Sequence, residues 1–187
     1  ARESTTARII DETGAELVHP YNDYRVIAGQ ATAALELIED GPDLDVIMAP
    51  VGGGGLLAGT ALSANYLSSK TRVIAAEPSG ADDARRSLEA GRIIPSEAPK
   101  TIADGLLTSL GDKTFPIIQK YVSAIHTVSD GEISAAMRLV WERMKIVIEP
   151  SAAVPLASVL ERKFDPSGLR IGIILSGGNV DLGRLPF

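Results

Sequence analysis

Apolar and polar positions along the chain alternate with two periods, and the alternation sets out a series of helices and strands. Ser4 to Thr13 carries helical spacing through Ala7, Ile10 and Asp11, with Gly14 placed to stop it. Ala15 to Val18 predicts a short strand ended by His19-Pro20. Asn22 or Asp23 is positioned to cap a long helix through Ile38, whose apolar side holds Val26, Ile27, Ala31, Ala34, Leu35 and Ile38; Gly41-Pro42 stops it. Val46 to Ala49 predicts a buried strand, Leu56 to Leu67 a helix, Arg72 to Ala76 a strand and Ala81 to Ala90 a helix. Gly91 to Thr108, broken by Pro95 and Pro99, predicts a surface excursion with Ile102-Ala-Asp-Gly105 as its distinctive patch. Lys113 to Tyr121 predicts a helix and Ala124 to Val128 a strand. The next helix, through Lys145, opens on a capping box of Ser129 and Glu132. Pro150 sits at a favoured first-turn position for a helix to Lys163, and Leu169 to Leu175 is a final buried strand. The pattern predicts an α/β fold: an open, mostly parallel sheet with helices on both faces.

Two stretches carry chemistry. Gly52, Gly53, Gly54 and Gly55 join the strand at Val46 to the helix at Leu56. Glycines let backbone approach an anion, and the free N–H groups and positive end of the helix face it. A tight strand-to-helix turn without ligand is the plainer reading, but four successive glycines add an entropic cost that such a turn does not require. The second stretch, Ser176-Gly-Gly-Asn179, also follows a predicted strand, and in open α/β sheets ligands collect at carboxyl ends of strands. The two loops are therefore expected to share one crevice. A dinucleotide reading competes: Gly53-x-Gly55-x-x-Ala58 matches the nucleotide fingerprint, and Glu77 ends the next strand where a ribose-binding acid would belong. Gly52 and Gly54 stay unexplained by it, and the turn after Glu77 is unusually acidic.

Composition narrows the classes further. The 187 residues are 45% hydrophobic, enough for one substantial core, and 18 basic against 24 acidic residues give a net charge of −6 with no basic block, which argues against nucleic acid. The absence of cysteine excludes disulfides, thiolate catalysis and zinc–cysteine sites. No run is long enough to span a membrane and no signal peptide is visible; a soluble, cytoplasmic protein is the expectation. The chain opens at Ala1-Arg-Glu-Ser4 without methionine, as if cut from something longer.

Five motifs then occur in order: Pro50-Val-Gly-Gly-Gly-Gly-Leu56, Ala76-Glu-Pro-Ser-Gly-Ala-Asp-Asp83, Thr101-Ile-Ala-Asp-Gly105, Trp141-Glu-Arg-Met-Lys145 with Glu149-Pro-Ser-Ala152, and Leu175-Ser-Gly-Gly-Asn-Val-Asp-Leu182. The chain resembles the serine/threonine dehydratases, fold-type II enzymes of pyridoxal 5'-phosphate (PLP), nearest to the serine racemase and serine dehydratase branch. The resemblance implies the large-domain portion of the tryptophan synthase β-like fold: residues 15–187 as the large PLP-binding domain, incomplete at its amino-terminal side, and residues 1–14 as a remnant helix leading from a missing small domain. It implies dehydration of serine, threonine or a similar β-hydroxy amino acid to a 2-oxo acid and ammonia, with serine racemisation as an accompanying activity. The family's reactive lysine, in a Ser-Phe-Lys-x-Arg-Gly setting, is absent. Lys70, Lys100, Lys113, Lys120, Lys145 and Lys163 all lack that context, and the loop that grips the substrate carboxylate is missing too. This polypeptide alone is therefore expected not to turn over. A non-catalytic module that binds phosphate, metal or a partner is the contrasting class.

By the same resemblance, the N–H groups of Gly52, Gly53, Gly54, Gly55 and Leu56 hold the PLP phosphate, in agreement with the helix-terminus argument. Ser176 places a neutral hydroxyl at the pyridine nitrogen, which tunes the ring toward α-proton removal with β-elimination or reprotonation rather than transamination; its plainer reading is a cap after a strand. Gly105 packs beside the cofactor, and Glu149 lies near the ring or serves as a charge partner at a helix start. Glu77, the Ala81 carbonyl and Asp83 match a divalent-cation site for Mg²⁺, Mn²⁺ or Ca²⁺, hard ions for hard oxygen donors; the alternative is that Asp82 and Asp83 only favour the following helix N-terminus. Lys145 and Asn179 match contacts to a nucleotide effector, ATP, at a homodimer interface, although Arg143 and Lys145 also suit an ordinary helix C-terminus. His19 and His126 are read as structural, and Trp141 as core or subunit interface.

Overall fold

A computed structural model describes residues 2–187. The elements run α1 (Arg2–Thr13), α2 (Tyr24–Asp40), β1 (Val46–Pro50), α3 (Gly55–Leu67), β2 (Arg72–Pro78), α4 (Asp83–Ala90), a 3₁₀ turn (Asp104–Leu106), α5 (Thr114–Tyr121), β3 (Val122–Val128), α6 (Asp130–Met144), α7 (Pro150–Leu160) and β4 (Ile171–Ile173). The four strands form one all-parallel sheet in the order β3-β2-β1-β4. This is the expected α/β class, and the helices do cover both faces. Val73 and Ala75 pack with Ile27, Leu57 and Phe115 of α2, α3 and α5. Ala76, one residue on, packs with Ile133, Met137 and Ala153 of α6 and α7. Strand residues of successive parity therefore bury on opposite sides, which is why β1 and most of β2 read as continuous apolar runs.

The start and stop signals behave as their chemistry demands. Asp23, not Asn22, caps α2 by accepting the Arg25 N–H at 2.8 Å. Ser129 and Glu132 form the reciprocal capping box of α6. Gly14, at φ +70°, ends α1 by donating to the Ile10 carbonyl.

Several boundaries shift by one or two residues, and three places differ more. Ala15 to Val18 is not a strand: Leu17 and Val18 are exposed, and the segment joins no ladder. The residues after it are bent instead into a turn around the His19 ring, whose Nδ1 accepts the Asn22 N–H at 2.9 Å. Helix α7 stops at Leu160 rather than Lys163, because the chain turns through a positive φ at Arg162 and the Lys163 N–H goes to the Ser158 carbonyl. Regular β4 is confined to three residues, although the Ile174 N–H still reaches the Met48 carbonyl at 3.0 Å.

The α2–α3 crossing is set by Gly59. A Cβ there would lie 2.6 Å from the Ala31 nitrogen and 2.7 Å from the Ile27 carbonyl oxygen, and neither backbone atom can yield cheaply. Gly59→Ala gains helix propensity of about 1 kcal/mol but meets an overpacking cost of about 1–3 kcal/mol. A net loss of up to about 2 kcal/mol is expected in urea unfolding, with the denaturant slope unchanged.

Candidate active site

The chain leaves β1 toward β2 and β3 on one side and returns to β4 on the other, so the carboxyl end of β1 is a topological switch point. There the polyglycine turn enters α3. Gly54 is the residue before the helix, at φ +88°, and offers no side-chain cap. The first bond within the helix runs from the Ala58 N–H to the Gly54 carbonyl, leaving the amides of Gly55, Leu56 and Leu57 without helical acceptors. Gly52, Gly53, Gly54, Gly55 and Leu56 line a cleft of about 370 Å³, together with Tyr21, Gln30, Asp104, Gly105, Thr108, Glu149, Ser151 and Ser176.

The glycines are required by space as well as by conformation. A Cβ on Gly53 would fall 2.3 Å from the Tyr21 ring, one on Gly55 3.0 Å from the Tyr21 Cα, and one on Gly52 3.0 Å from the Leu106 Cα. The turn is a bare-backbone cradle with Tyr21 and Leu106 of the cleft lining packed against it. Among the described residues no lysine or arginine lines the cleft, so its attraction for an anion resides in the peptide N–H groups and the α3 dipole.

The second loop arrives through sheet register. Met48 pairs with Ile173, so Ser176 follows β4 by three residues as Val51 follows Met48. Glu149 fastens this loop: its N–H donates to the Gly177 carbonyl at 3.0 Å and its carboxylate accepts the Asn179 N–H at 2.9 Å. The carboxylate stands at the N-cap of α7 without a capping hydrogen bond and holds the Ser176 loop instead. Gly105 donates its N–H to the Ser151 hydroxyl at 3.1 Å, bringing the 3₁₀ turn against the start of α7. Both expected loops and Gly105 thus reach one cleft.

The acidic turn lies elsewhere. Glu77, 1% exposed at the end of β2, accepts N–H groups of Ala84 at 3.1 Å and Arg85 at 2.8 Å, capping α4 from a distance. Asp83 is buried, and its Oδ2 has no hydrogen-bond partner. Burial pushes the Glu77 carboxyl up to about 8 and the Asp83 carboxyl up to about 6. An orphaned buried oxygen beside a second buried carboxylate fits a hard cation. Among the described residues no group of three or more acidic or histidine side chains could hold a metal, so a site here needs the Ala81 carbonyl. The same burial removes Glu77 from any ribose-binding role, since it does not line the cleft.

His126 stacks on Phe164 with ring centroids 5.5 Å apart, and burial pulls its imidazole below the ordinary value. Trp141 donates to the Ile148 carbonyl at 2.9 Å and meets Phe187 edge-on. Lys145 ends α6 at φ +60° and is exposed, as is Asn179. Tyr21, Thr108 and Ser151 line the cleft without having been singled out by sequence. Only Ser151, directly after the helix-opening Pro150, sat beside a readable signal.

The chain belongs to the pyridoxal-phosphate dependent enzyme family, whose model matches residues 1–177. Its relatives share more than the fold. It is 54% identical to the beta-hydroxyaspartate dehydratase of Paracoccus denitrificans, over 100% of this chain and 59% of that protein. The crystal structure of serine racemase from Dictyostelium discoideum superposes with a TM-score of 0.90 at 52% identity, covering 97% of this chain and 59% of that one. A threonine deaminase from T.th. gives a TM-score of 0.90 at 48% identity, covering 96% of this chain and 60% of that one. The chain thus spans about three-fifths of the length of these relatives.

Proposed function

We propose that the protein to which this chain contributes its large domain is a PLP-dependent dehydratase of β-hydroxy amino acids, releasing a 2-oxo acid and ammonia from serine, threonine or 3-hydroxyaspartate. One observation carries the reading: the polyglycine turn and the Ser176 loop open on a single cleft at the switch point of the sheet. The bare-backbone cradle fits a phosphate monoester, and the N–H groups of Gly52 through Leu56 would hold it. When bound, PLP supplies an electron sink for the substrate α-carbon. The residues of this chain orient and tune. Glu149 fixes the Ser176 loop, and the Ser176 hydroxyl would hold the ring nitrogen as a neutral partner, which favours elimination over transamination. Gly105, kept close by Ser151, leaves room for the ring.

Incubation of the intact protein with L-serine, L-threonine and 3-hydroxyaspartate is expected to yield the 2-oxo acid from at least one of them. No 2-oxo acid from any rejects the reading. Ser176→Ala is expected to keep inorganic phosphate affinity within two-fold while lowering kcat about ten-fold, the worth of one hydrogen bond to the ring. Serine racemase activity is the second reading, favoured by the Dictyostelium relative; chiral separation of serine after incubation distinguishes it.

Three further assignments belong to the same proposal. Glu77, Asp83 and the Ala81 carbonyl hold Mg²⁺, Mn²⁺ or Ca²⁺ as a structural ion. Leu139 and Met144 of α6, with Ile146 and Val147 after it, expose apolar side chains that would suit a homodimer contact. Lys145 and Asn179, near that surface, would serve ATP as an effector.

A further inference from the structure

The polyglycine turn is gripped from two sides, by Thr114 from outside the cleft and by Tyr21 from its lining. Thr114, at the start of α5 and fully buried, donates its hydroxyl proton to the Gly53 carbonyl at 2.8 Å and accepts the Gly111 N–H at 3.0 Å. Thr114 does not line the cleft, so the Gly53 carbonyl is turned away from it. From another direction the Tyr21 ring lies against Gly53, so close that no side chain fits between them. These two contacts come from segments that are themselves tied together. Asn22, next to Tyr21, accepts the Lys113 N–H at 2.9 Å and donates to the Asp112 carboxylate at 2.6 Å. Tyr21 is set in turn by His19, whose Nδ1 takes the Asn22 N–H and whose ring meets the Tyr21 ring edge-on at 4.7 Å.

The orientation of one peptide decides what the turn presents to an anion. A carbonyl rotated into the cleft would place negative partial charge where phosphate oxygens must sit. The left-handed Gly54 that follows makes such a rotation sterically easy, because glycine has little intrinsic preference. We infer that Thr114 and Tyr21 are positioning residues for phosphate: they clamp the Gly53 peptide with its carbonyl outward and so keep the neighbouring N–H groups facing the anion. Asn22 joins the two jaws. Thr114 acts through its hydroxyl, Tyr21 through its ring face. The inference rests on the phosphate reading of the cleft.

The test uses the intact apoprotein with inorganic phosphate as probe, and phosphate-free pyridoxal as control. Thr114→Val keeps the volume of the side chain and removes the hydroxyl. It is expected to weaken phosphate binding about ten-fold in calorimetry, while Thr114→Ser restores affinity to within two-fold of the parent. Tyr21→Phe is expected to bind as the parent does and Tyr21→Leu about ten-fold more weakly. Pyridoxal affinity stays the same in the Thr114 variants, whose side chain lies outside the cleft. The Gly53 α-protons are expected to be shifted upfield by the Tyr21 ring in the parent NMR spectrum and to lose that shift in Tyr21→Leu. If the parent binds no phosphate, the functional reading itself fails. If the parent binds and Thr114→Val and Tyr21→Leu bind equally well, only the clamp is overturned. Should Thr114→Val not fold, the Tyr21 pair and the ring-current shift decide alone.

Discussion

Valine in place of Gly54 is expected to abolish retention of a phosphate-bearing ligand, with affinity falling at least a hundred-fold. Two costs combine there. Gly54 has φ +88°, a region that a β-branched residue enters only under strain, and its Cβ would lie 2.8–2.9 Å from Ile118, Leu110 and the Thr114 hydroxyl. Left-handed backbone costs about 1–2 kcal/mol, and overpacking adds about 1–3 kcal/mol. The chain can relieve both only by reshaping the turn, which removes the array of N–H groups from the start of α3. Equilibrium dialysis with inorganic phosphate, beside a urea curve, separates loss of the site from loss of the fold. A valine variant that binds as the parent does would show that the turn is not the phosphate cradle.

The second large effect concerns the buried carboxylates at the end of β2. With divalent cations chelated, the protein is expected to lose stability as pH rises from about 4 to about 8. Burial keeps Glu77 protonated up to about 8 and Asp83 up to about 6 in the folded chain, against ordinary values of 4.5 and 3.8. Between those limits the folded state binds more protons than the unfolded one, so the unfolding free energy falls with pH. The contribution is complete below the ordinary values, and is lost as pH passes 6 for Asp83 and 8 for Glu77. For Glu77 it amounts to at most about 5 kcal/mol. Millimolar Mg²⁺ should replace the lost protons with a cation and raise the melting temperature at pH 8 by on the order of 10 °C, with little effect at pH 5. Glu77→Gln should remove most of the pH dependence and most of the Mg²⁺ increment. Identical melting curves in chelator and in Mg²⁺ at pH 8 would eliminate the cation site.

Elements whose information is local were legible in the sequence. The capping box at Ser129, the helix-opening Pro150 and the stop at Gly14 each depend on residues within a turn of one another. The polyglycine turn and the Ser176 loop were legible because several unusual residues stand together after an apolar run. Their convergence followed from one topological rule about parallel sheets. Tyr21, Asn22 and Thr114 were not legible. Each is a single, common residue, and its partner lies far along the chain: Thr114 meets Gly53 from a separate helix, and Asn22 meets Lys113. The strand expected at Ala15–Val18 failed for a related reason. Four residues can show strand-like spacing, but a strand exists only where another offers it hydrogen bonds, and none lies alongside.

Strand β4 joins the sheet through three residues, and Ser176 stands only a few positions beyond it. During synthesis, the glycine turn leaves the ribosome more than a hundred residues before this serine, so the half of the crevice made by α3 exists first and waits. The turn has no Thr114 to hold the Gly53 carbonyl until α5 has packed, and nothing to place against the far side until α6 and α7 have packed and β4 has docked on β1. Completion of the pocket is thereby deferred until β4 has been made.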